Sequence, residues 1–248
     1  MSRRAAGTHS SFARSARLAL IVPLALERQC LSTRQRQSSN VDISVSQSGQ
    51  GAQNAARAAR AAVAQGATAL MSVGVAGGLV AELSAGDFVI PDAVIDADSG
   101  RRFECSDSWV ASMREQLKDT DNASAGTLLS VTDVLTAPLE KAAAATRFAA
   151  VACDMESAAV AAVAHEHQVH FAVLRVISDA LSDELPSNVG SWVDSSGNAR
   201  VKPVLGAMMS PGRWHCVISM STRFRLAQRR LRRLSARLVG VDYCCPRS

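Results

Sequence analysis

Two short motifs place carboxylates next to segments that are expected to be buried. Asp154 and Glu156 flank Met155 in DMES, directly before an alanine-rich stretch, and Asp179 ends RVISD after Ser178 and an apolar run. A buried carboxylate is unfavourable unless it has partners. A carboxylate can accept two hydrogen bonds from vicinal sugar hydroxyls, and a carboxyl group can act as a general acid. The structural alternatives are a charged helix start for DMES and a Ser-Asp turn for RVISD.

A glycine pair follows another predicted strand, in GVAGGL at 74–79. This segment lacks the G-K-[ST] ending of a P-loop and does not match the dinucleotide-binding fingerprint. Its glycines predict either a tight turn or a surface where a ligand contacts the backbone. The histidines of HEHQVH do not have the H-E-x-x-H spacing, so we predict no metal site.

Strands and helices alternate along the chain and must position these motifs. Strands are predicted over 18–26, 41–46, 69–75, 88–95, 127–134 and 169–178. Helices are predicted over 52–65, 109–118, 138–148 and 155–165, and 185–206 is predicted to be a long loop. This order predicts an α/β domain with a parallel or mixed sheet, whose ligand lies beyond the carboxyl ends of the strands.

Charge divides the 248 residues into three parts. Seven arginines and one acidic residue lie in 1–36, and nine arginines and one acidic residue lie in 211–248, whereas the middle is acidic. We predict a basic extension over 1–17, a domain over 18–210 and an amphipathic tail over 211–248. The acidic body and the aromatic content of 4% argue against a nucleic-acid partner.

The tail alternates arginines with apolar residues at three- and four-residue steps. The apolar positions are Phe224, Ala227, Leu231, Leu234, Leu238 and Val241. Such a helix suits peripheral contact with an anionic membrane surface, or docking on the acidic body of its own domain. Both interpretations stay open from the sequence.

The location of the protein follows from its cysteines and its apolar runs. Six scattered cysteines without a C-x-x-C pair are typical of a reducing compartment, so we expect a cytoplasmic protein, with membrane association as the alternative. The run at 18–26 ends in Glu27-Arg28 without a small-residue cleavage site, which favours a buried strand over a signal peptide.

Five motifs occur in a fixed order within about 18–183, namely SGQGAQNA, GVAGGL, GDFVI, DMES and RVISD. Together they resemble the nucleoside phosphorylase/nucleosidase superfamily. DMES, the ISDALSDELP continuation and the arginine-rich tail are most similar to the hopanoid-biosynthesis-associated phosphorylase, which acts on adenosylhopane. The resemblance implies a three-layer α/β/α fold with a central mixed sheet, a homo-oligomer, and cleavage of the N-glycosidic bond of an adenine nucleoside.

The resemblance also implies roles for residues of the two acidic motifs. Asp179 would be the general acid at the purine N7, supported by Ser178. Glu156 would bind the ribose 2′- and 3′-hydroxyls, Met155 would line the ribose, and Asp154 would lie near the base.

Further roles carried over by the resemblance fall outside those motifs. Ala76 and Gly77 would contact the nucleoside through their backbone, and Leu135 and Thr136 would read the adenine edge. Gln50 would lie near the 5′-substituent, at a position that is apolar in the thio-nucleosidases. Glu27 would be the second catalytic residue, matching a glutamate that activates water.

The resemblance leaves hydrolysis and phosphorolysis open and slightly favours hydrolysis. Ser72 and Val75 stand where many phosphorylases have an arginine and a serine for phosphate, and Pro23-Leu24 replaces a glycine-bearing phosphate loop. We expect no cofactor, with phosphate as the alternative co-substrate, bound by Arg57, Arg60 or an arginine of a neighbouring subunit. A methylthioadenosine/S-adenosylhomocysteine nucleosidase, a purine nucleoside phosphorylase, and a non-catalytic nucleoside-binding or membrane-associated protein are the alternatives.

Overall fold

A ten-stranded mixed sheet forms the centre of the protein. The computed structural model describes residues 16–31, 41–118, 123–194, 196–198, 200 and 214–238. The strands are β1 (Ala16–Val22), β2 (Val41–Gln47), β3 (Ala69–Gly78), β4 (Phe88–Val89), β5 (Ala93–Asp96), β6 (Arg102–Glu104), β7 (Ala123–Ser124), β8 (Thr127–Ser130), β9 (Ala150–Asp154) and β10 (His170–Asp179). Parallel and antiparallel pairs both occur, which confirms the predicted mixed α/β fold.

Strand β3 organises the sheet because it pairs with three others. Its first half lies between β1 and β10, both parallel to it. Its last two residues, Gly77 and Gly78, pair instead with β9, which runs antiparallel. The sheet order is β6-β5-β8-β9-β3-β10-β4-β7, with β1 bridging β2 and β3. The carboxyl ends of β1, β3 and β10 therefore meet at one edge, where ligands of α/β sheets bind.

Six α-helices accompany the sheet within the described residues. They are α1 (Ala25–Arg28), α2 (Ala52–Ala64), α3 (Asp107–Leu117), α4 (Pro138–Phe148), α5 (Ser157–Glu166) and α6 (Trp214–Leu238). Helices α2 and α5 pack on each other, α4 packs on β9, and α6 packs on β10. A 3-10 helix spans Val189–Trp192. None of these helices is long and apolar enough to cross a membrane.

Two of the predicted elements differ from the structure, and one strand was not predicted. The strand predicted over 18–26 ends at Val22, because Pro23 cannot donate a ladder hydrogen bond, and α1 follows. The run predicted over 88–95 is two strands, β4 and β5, on either side of Pro91. The prediction had no strand over 150–154, where β9 lies between β3 and β8.

Helix α6 is docked on the body of the domain. Ala227, Leu231 and Leu234 are buried in the main core. Arg223 pairs with Asp183 at 2.8 Å, just beyond β10. The structure therefore favours the docked interpretation of this apolar face. The boundary at 210/211 and most of the extension 1–17 lie outside the described residues, so the division of the chain stays a prediction.

Candidate active site

A cavity of about 480 Å³ opens at the edge where β1, β3 and β10 end. Ten of the eleven residues predicted from the sequence line it. They are Glu27, Gln50, Ala76, Gly77, Leu135, Asp154, Met155, Glu156, Ser178 and Asp179. Thr136 lines an adjoining cavity of about 550 Å³, which shares Gln50 and Met155 with the first. The sequence motifs, far apart in the chain, thus come together in one place.

Glu27 lies in α1, directly after β1, and is 1% exposed. The backbone N–H of Leu24 donates to its Oε2 at 2.9 Å, and that of Val75 donates to its Oε1 at 2.8 Å. Burial raises the pKa of Glu27 to about 7, although the Arg175 guanidinium and these two hydrogen bonds oppose the rise. A carboxylate with a pKa near neutrality is suited to serve as a general base.

Arg175 and Asp154 form a buried ion pair, of which Asp154 lines the cavity. Arg175 donates to Asp154 Oδ2 from Nη2 at 2.5 Å and from Nε at 2.9 Å, and to Ser72 Oγ at 2.7 Å. Ser130 donates to the other oxygen of Asp154 at 2.8 Å. Burial alone would lower the pKa of Arg175, but the surrounding carboxylates raise it. Both oxygens of Asp154 are therefore engaged within the protein, and its expected place near the base stays a prediction.

Glu156 immediately precedes α5 and is 6% exposed. Its Oε1 accepts a hydrogen bond of 2.8 Å from the backbone N–H of Gly51, at the start of α2. Burial, and the nearby charge of Asp154, raise the pKa of Glu156 to about 7, while Arg175 opposes the rise. The helix start of SGQGAQNA thus positions the carboxylate of DMES, which lines the cavity.

Asp179, at the end of β10, has partners on both carboxylate oxygens. Ser178 Oγ donates to Oδ1 at 2.7 Å, as its predicted supporting role requires. Lys141 Nζ donates to Oδ2 at 2.6 Å, and Lys141 is fully buried. The sequence analysis did not predict this lysine, because no periodicity or motif relates α4 to β10. It also gave no role to Arg175, although an arginine within an apolar strand signals a buried partner.

The glycines of GVAGGL make room for charged side chains. A Cβ on Gly74 would lie 2.5 Å from Arg175 Nη1 and 2.9 Å from Glu27 Oε1. A Cβ on Gly77 would lie 3.1 Å from Asp179 Oδ2. Side chains therefore approach both glycines too closely for a Cβ to fit without a shift, whether or not a ligand contacts the glycine backbone.

The remaining predicted contacts, Gln50, Leu135 and Thr136, line one or both of the two cavities. Gln50 Nε2 lies 3.5 Å from Met155 Sδ at the junction of the two cavities. Leu135 faces the main cavity, whereas Thr136 is held by Glu140, which accepts from its backbone N–H at 2.9 Å. Its carbonyl accepts from Leu185 at 2.9 Å, so both backbone groups of Thr136 are engaged.

Helix α6 also contributes to the lining of the cavity. Met220, Phe224 and Arg225 are among the α6 residues that line it. The tail thus forms part of the candidate site, which the motifs ending at Asp183 did not indicate.

The comparisons with known proteins agree with this geometry. The model of the Phosphorylase superfamily matches residues 26–202, so the chain belongs to that family. No curated protein matches the chain. The family match and the shared fold described next place the chain among the nucleosidase and nucleoside phosphorylase enzymes.

Several solved structures share the fold at low sequence identity. A mutant nucleosidase of Helicobacter pylori with 5′-methylthioadenosine in its active site is 16% identical, with a TM-score of 0.69 over 91% of this chain and 98% of that one. The Neisseria meningitidis 5′-methylthioadenosine/S-adenosylhomocysteine nucleosidase, in complex with methylthio-immucillin-A, is 17% identical, with a TM-score of 0.66 over 90% and 99%. A futalosine hydrolase mutant of Helicobacter pylori is 20% identical, with a TM-score of 0.58 over 65% and 89%.

Proposed function

We propose that the protein releases adenine from a nucleoside by hydrolysis of the N-glycosidic bond. The observation that carries this proposal is the convergence of Glu27, Glu156 and Asp179 on one cavity. Cleavage builds positive charge on the ribose and negative charge on the departing base. Glu27 takes a proton from water, Glu156 binds the ribose hydroxyls, and Asp179 gives a proton to the purine N7.

The contacts of the residues that would bind phosphate support hydrolysis. Ser72 is fully buried and bonds to Arg175 and Ser157, which keeps its hydroxyl away from the cavity. Among the proposed phosphate ligands, Arg57 donates to Asn54 at 2.7 Å and Arg60 faces Glu166 at 3.6 Å, both on exposed surface. The first-strand end presents a carboxylate, Glu27, to the cavity, and a carboxylate repels phosphate.

The apolar lining of the cavity supports a substrate with a large apolar 5′-substituent. Its apolar residues include Leu24 and Leu26 at α1, Trp192 of the 3-10 helix, and Met220 and Phe224 of α6. Leu26 remains 40% exposed, so apolar surface is left for a ligand to cover. Together with the motifs that resemble the hopanoid-associated phosphorylase, this surface leads us to propose adenosylhopane as the substrate.

A water-soluble thio-nucleoside is the second candidate. Two of the structures that share the fold contain methylthioadenosine or methylthio-immucillin-A. Here Gln50 places an amide beside Met155, at the position expected to face the 5′-group. A polar amide is a poorer neighbour for a short alkylthio group than an apolar side chain.

A lipid-linked substrate also gives a role to the outer face of α6. Its apolar residues are docked, but Arg229 and Arg233 are exposed and do not line the cavity. We propose that these arginines bring the cavity to an anionic membrane surface, since each basic residue near such a surface contributes about 1 kcal/mol.

The test is to incubate the purified protein with adenosylhopane and with methylthioadenosine, each with and without phosphate, and to identify the products by mass. We expect free adenine and a free sugar without phosphate, with faster release from adenosylhopane. Strict dependence on phosphate, with a sugar 1-phosphate as product, would overturn hydrolysis. No adenine release from either nucleoside would overturn the function and favour a nucleoside-binding protein.

A further inference from the structure

Lys141 is a fully buried ammonium at the back of the candidate site. It projects from α4, and its Nζ donates to Asp179 Oδ2 at 2.6 Å, to the Ala180 carbonyl at 2.8 Å and to the Asp183 carbonyl at 3.0 Å. These bonds use all three donors of the ammonium. Lys141 is thus completely satisfied by the turn that begins at Asp179.

The same carboxyl group is fixed from its other side. Ser178 Oγ donates to Asp179 Oδ1 at 2.7 Å, and Gly77 leaves only enough room for the group, since a Cβ there would lie 3.1 Å from Oδ2. The backbone N–H of Asp183 donates to the Ala180 carbonyl at 3.1 Å and so closes the turn. Arg223 of α6 pairs with the Asp183 side chain at 2.8 Å. The position of Asp179 therefore depends on α4, β3 and α6 together.

Burying a lysine is costly and demands a reason. A buried ion pair stabilises a fold little or not at all relative to apolar residues of similar volume. A charge beside a general acid, in contrast, acts on the reaction, because the acid becomes a carboxylate when it gives up its proton. Among the described residues, Lys141 is the cation in direct contact with Asp179.

Resting on the function proposed above, we propose that Lys141 is a positioning residue for proton donation by Asp179. The bond between C1′ and the purine N9 breaks, and its electron pair goes to the base. The proton of the Asp179 carboxyl group passes to the purine N7, and Asp179 becomes a carboxylate beside the ammonium. A water oxygen bonds to C1′, and the water proton goes to Glu27. Glu27 then gives this proton to solvent, and Asp179 takes a proton from solvent.

A purely structural role would consist of anchoring the turn 180–183 through its carbonyl groups. The two roles differ in three readouts, namely the pH profile, the dependence on the leaving group, and the coupling with Asp179. The structural role predicts a general loss that is the same for every substrate and that adds to the loss from changing Asp179.

The test uses the full chain with Lys141→Met, Asp179→Asn and the double variant, with exposed Lys118→Met as the matched control. We expect Lys141→Met to lower kcat for adenine release by about 10- to 100-fold with little change in KM, and Lys118→Met to leave it unchanged. The pH profile of the rate should also change, because the variant removes a charge that is in direct contact with the general acid. In the Asp179→Asn background, Lys141→Met should change the rate by no more than about 2-fold.

A second substrate and a second variant complete the test. 4-Nitrophenyl ribofuranoside releases a phenolate that needs no proton, so its cleavage should survive Lys141→Met. Lys141→Gln, whose amide still donates to carbonyl groups without carrying charge, replaces Lys141→Met if circular dichroism shows that the latter is unfolded.

Wild-type rate and pH profile in both Lys141 variants, or losses that simply add to that of Asp179→Asn, would overturn the inference. Equal losses for adenine and nitrophenolate would do the same. Either result leaves the proposed function intact if the wild type releases adenine, whereas an inactive wild type removes both.

Discussion

Glu27→Gln tests the central electrostatic feature of the site, which is a buried carboxyl group that must ionise to act as a base. Burial raises its pKa from 4.5 to about 7, so between these pH values the folded protein keeps a proton that the unfolded chain has released. The unfolded state then binds fewer protons, so the free energy of unfolding falls as pH rises through this window and levels off above it. At 1.36 kcal/mol for each pH unit, the loss is about 3 kcal/mol.

Glutamine has no such titration. Leu24 N–H and Val75 N–H donate to different oxygens of Glu27, so the amide NH2 of glutamine faces one of these donors at a cost that is the same at every pH. We therefore expect the stability of Glu27→Gln relative to the wild type to rise by about 3 kcal/mol between pH 4.5 and pH 8. The same variant should lose adenine release at every pH.

Urea unfolding at pH 4.5 and pH 8, followed by circular dichroism, measures the difference between the two proteins at each pH. Exposed Glu82→Gln is the control and should show the same stability difference from the wild type at both pH values. A stability difference between Glu27→Gln and the wild type that does not change with pH would refute the assignment of a buried, proton-holding Glu27.

Three other outcomes follow from the site. Asp179→Asn should keep nucleoside binding, measured calorimetrically, but lower the rate of adenine release by about 10²- to 10⁴-fold; a near-normal rate would remove it as the general acid. Glu156→Gln should weaken catalysis on ribosides far more than on 2′-deoxy analogues, and kcat/KM measured on both sugars would show equal losses if Glu156 does not bind the hydroxyls. Replacing Arg229 and Arg233 together by glutamine should abolish sedimentation with anionic vesicles and spare cleavage of a water-soluble nucleoside; persistent vesicle binding would remove the membrane role of α6.

Most of the fold could be predicted from the sequence, because the hydrophobic patterns that indicate strands and helices are local. The buried run of β10 and the alanine-rich helices α2 and α5 have patterns that tertiary contacts do not override. Strand β9 was not predicted, because five residues of AVACD give too short a pattern between two helices. Pro23 and Pro91 each end a strand that hydrophobicity alone would continue.

The candidate site was predicted where one motif contains both the side chain and its position at the end of a strand or the start of a helix. Ser178, Asp179 and Glu156 are of this kind. Lys141 and Met220 were not predicted, because their place in the site depends on how α4 packs on β9 and how α6 packs on β10, and no local pattern encodes that packing. The tail has an amphipathic pattern, but amphipathicity does not state whether a membrane or the protein covers the apolar face.

The cluster around Arg175 explains how buried carboxylates can favour the transition state over the ground state. One guanidinium faces Asp154, Glu156 and Glu27, so ionised carboxylates outnumber the cation that balances them. Burial, with repulsion from Asp154 at Glu156, makes ionisation of Glu27 and Glu156 costly, which is why both pKa values lie near 7. In the reaction proposed above, positive charge that develops on the ribose would relieve this cost only as the glycosidic bond breaks. The buried carboxylates would then stabilise the transition state more than the ground state.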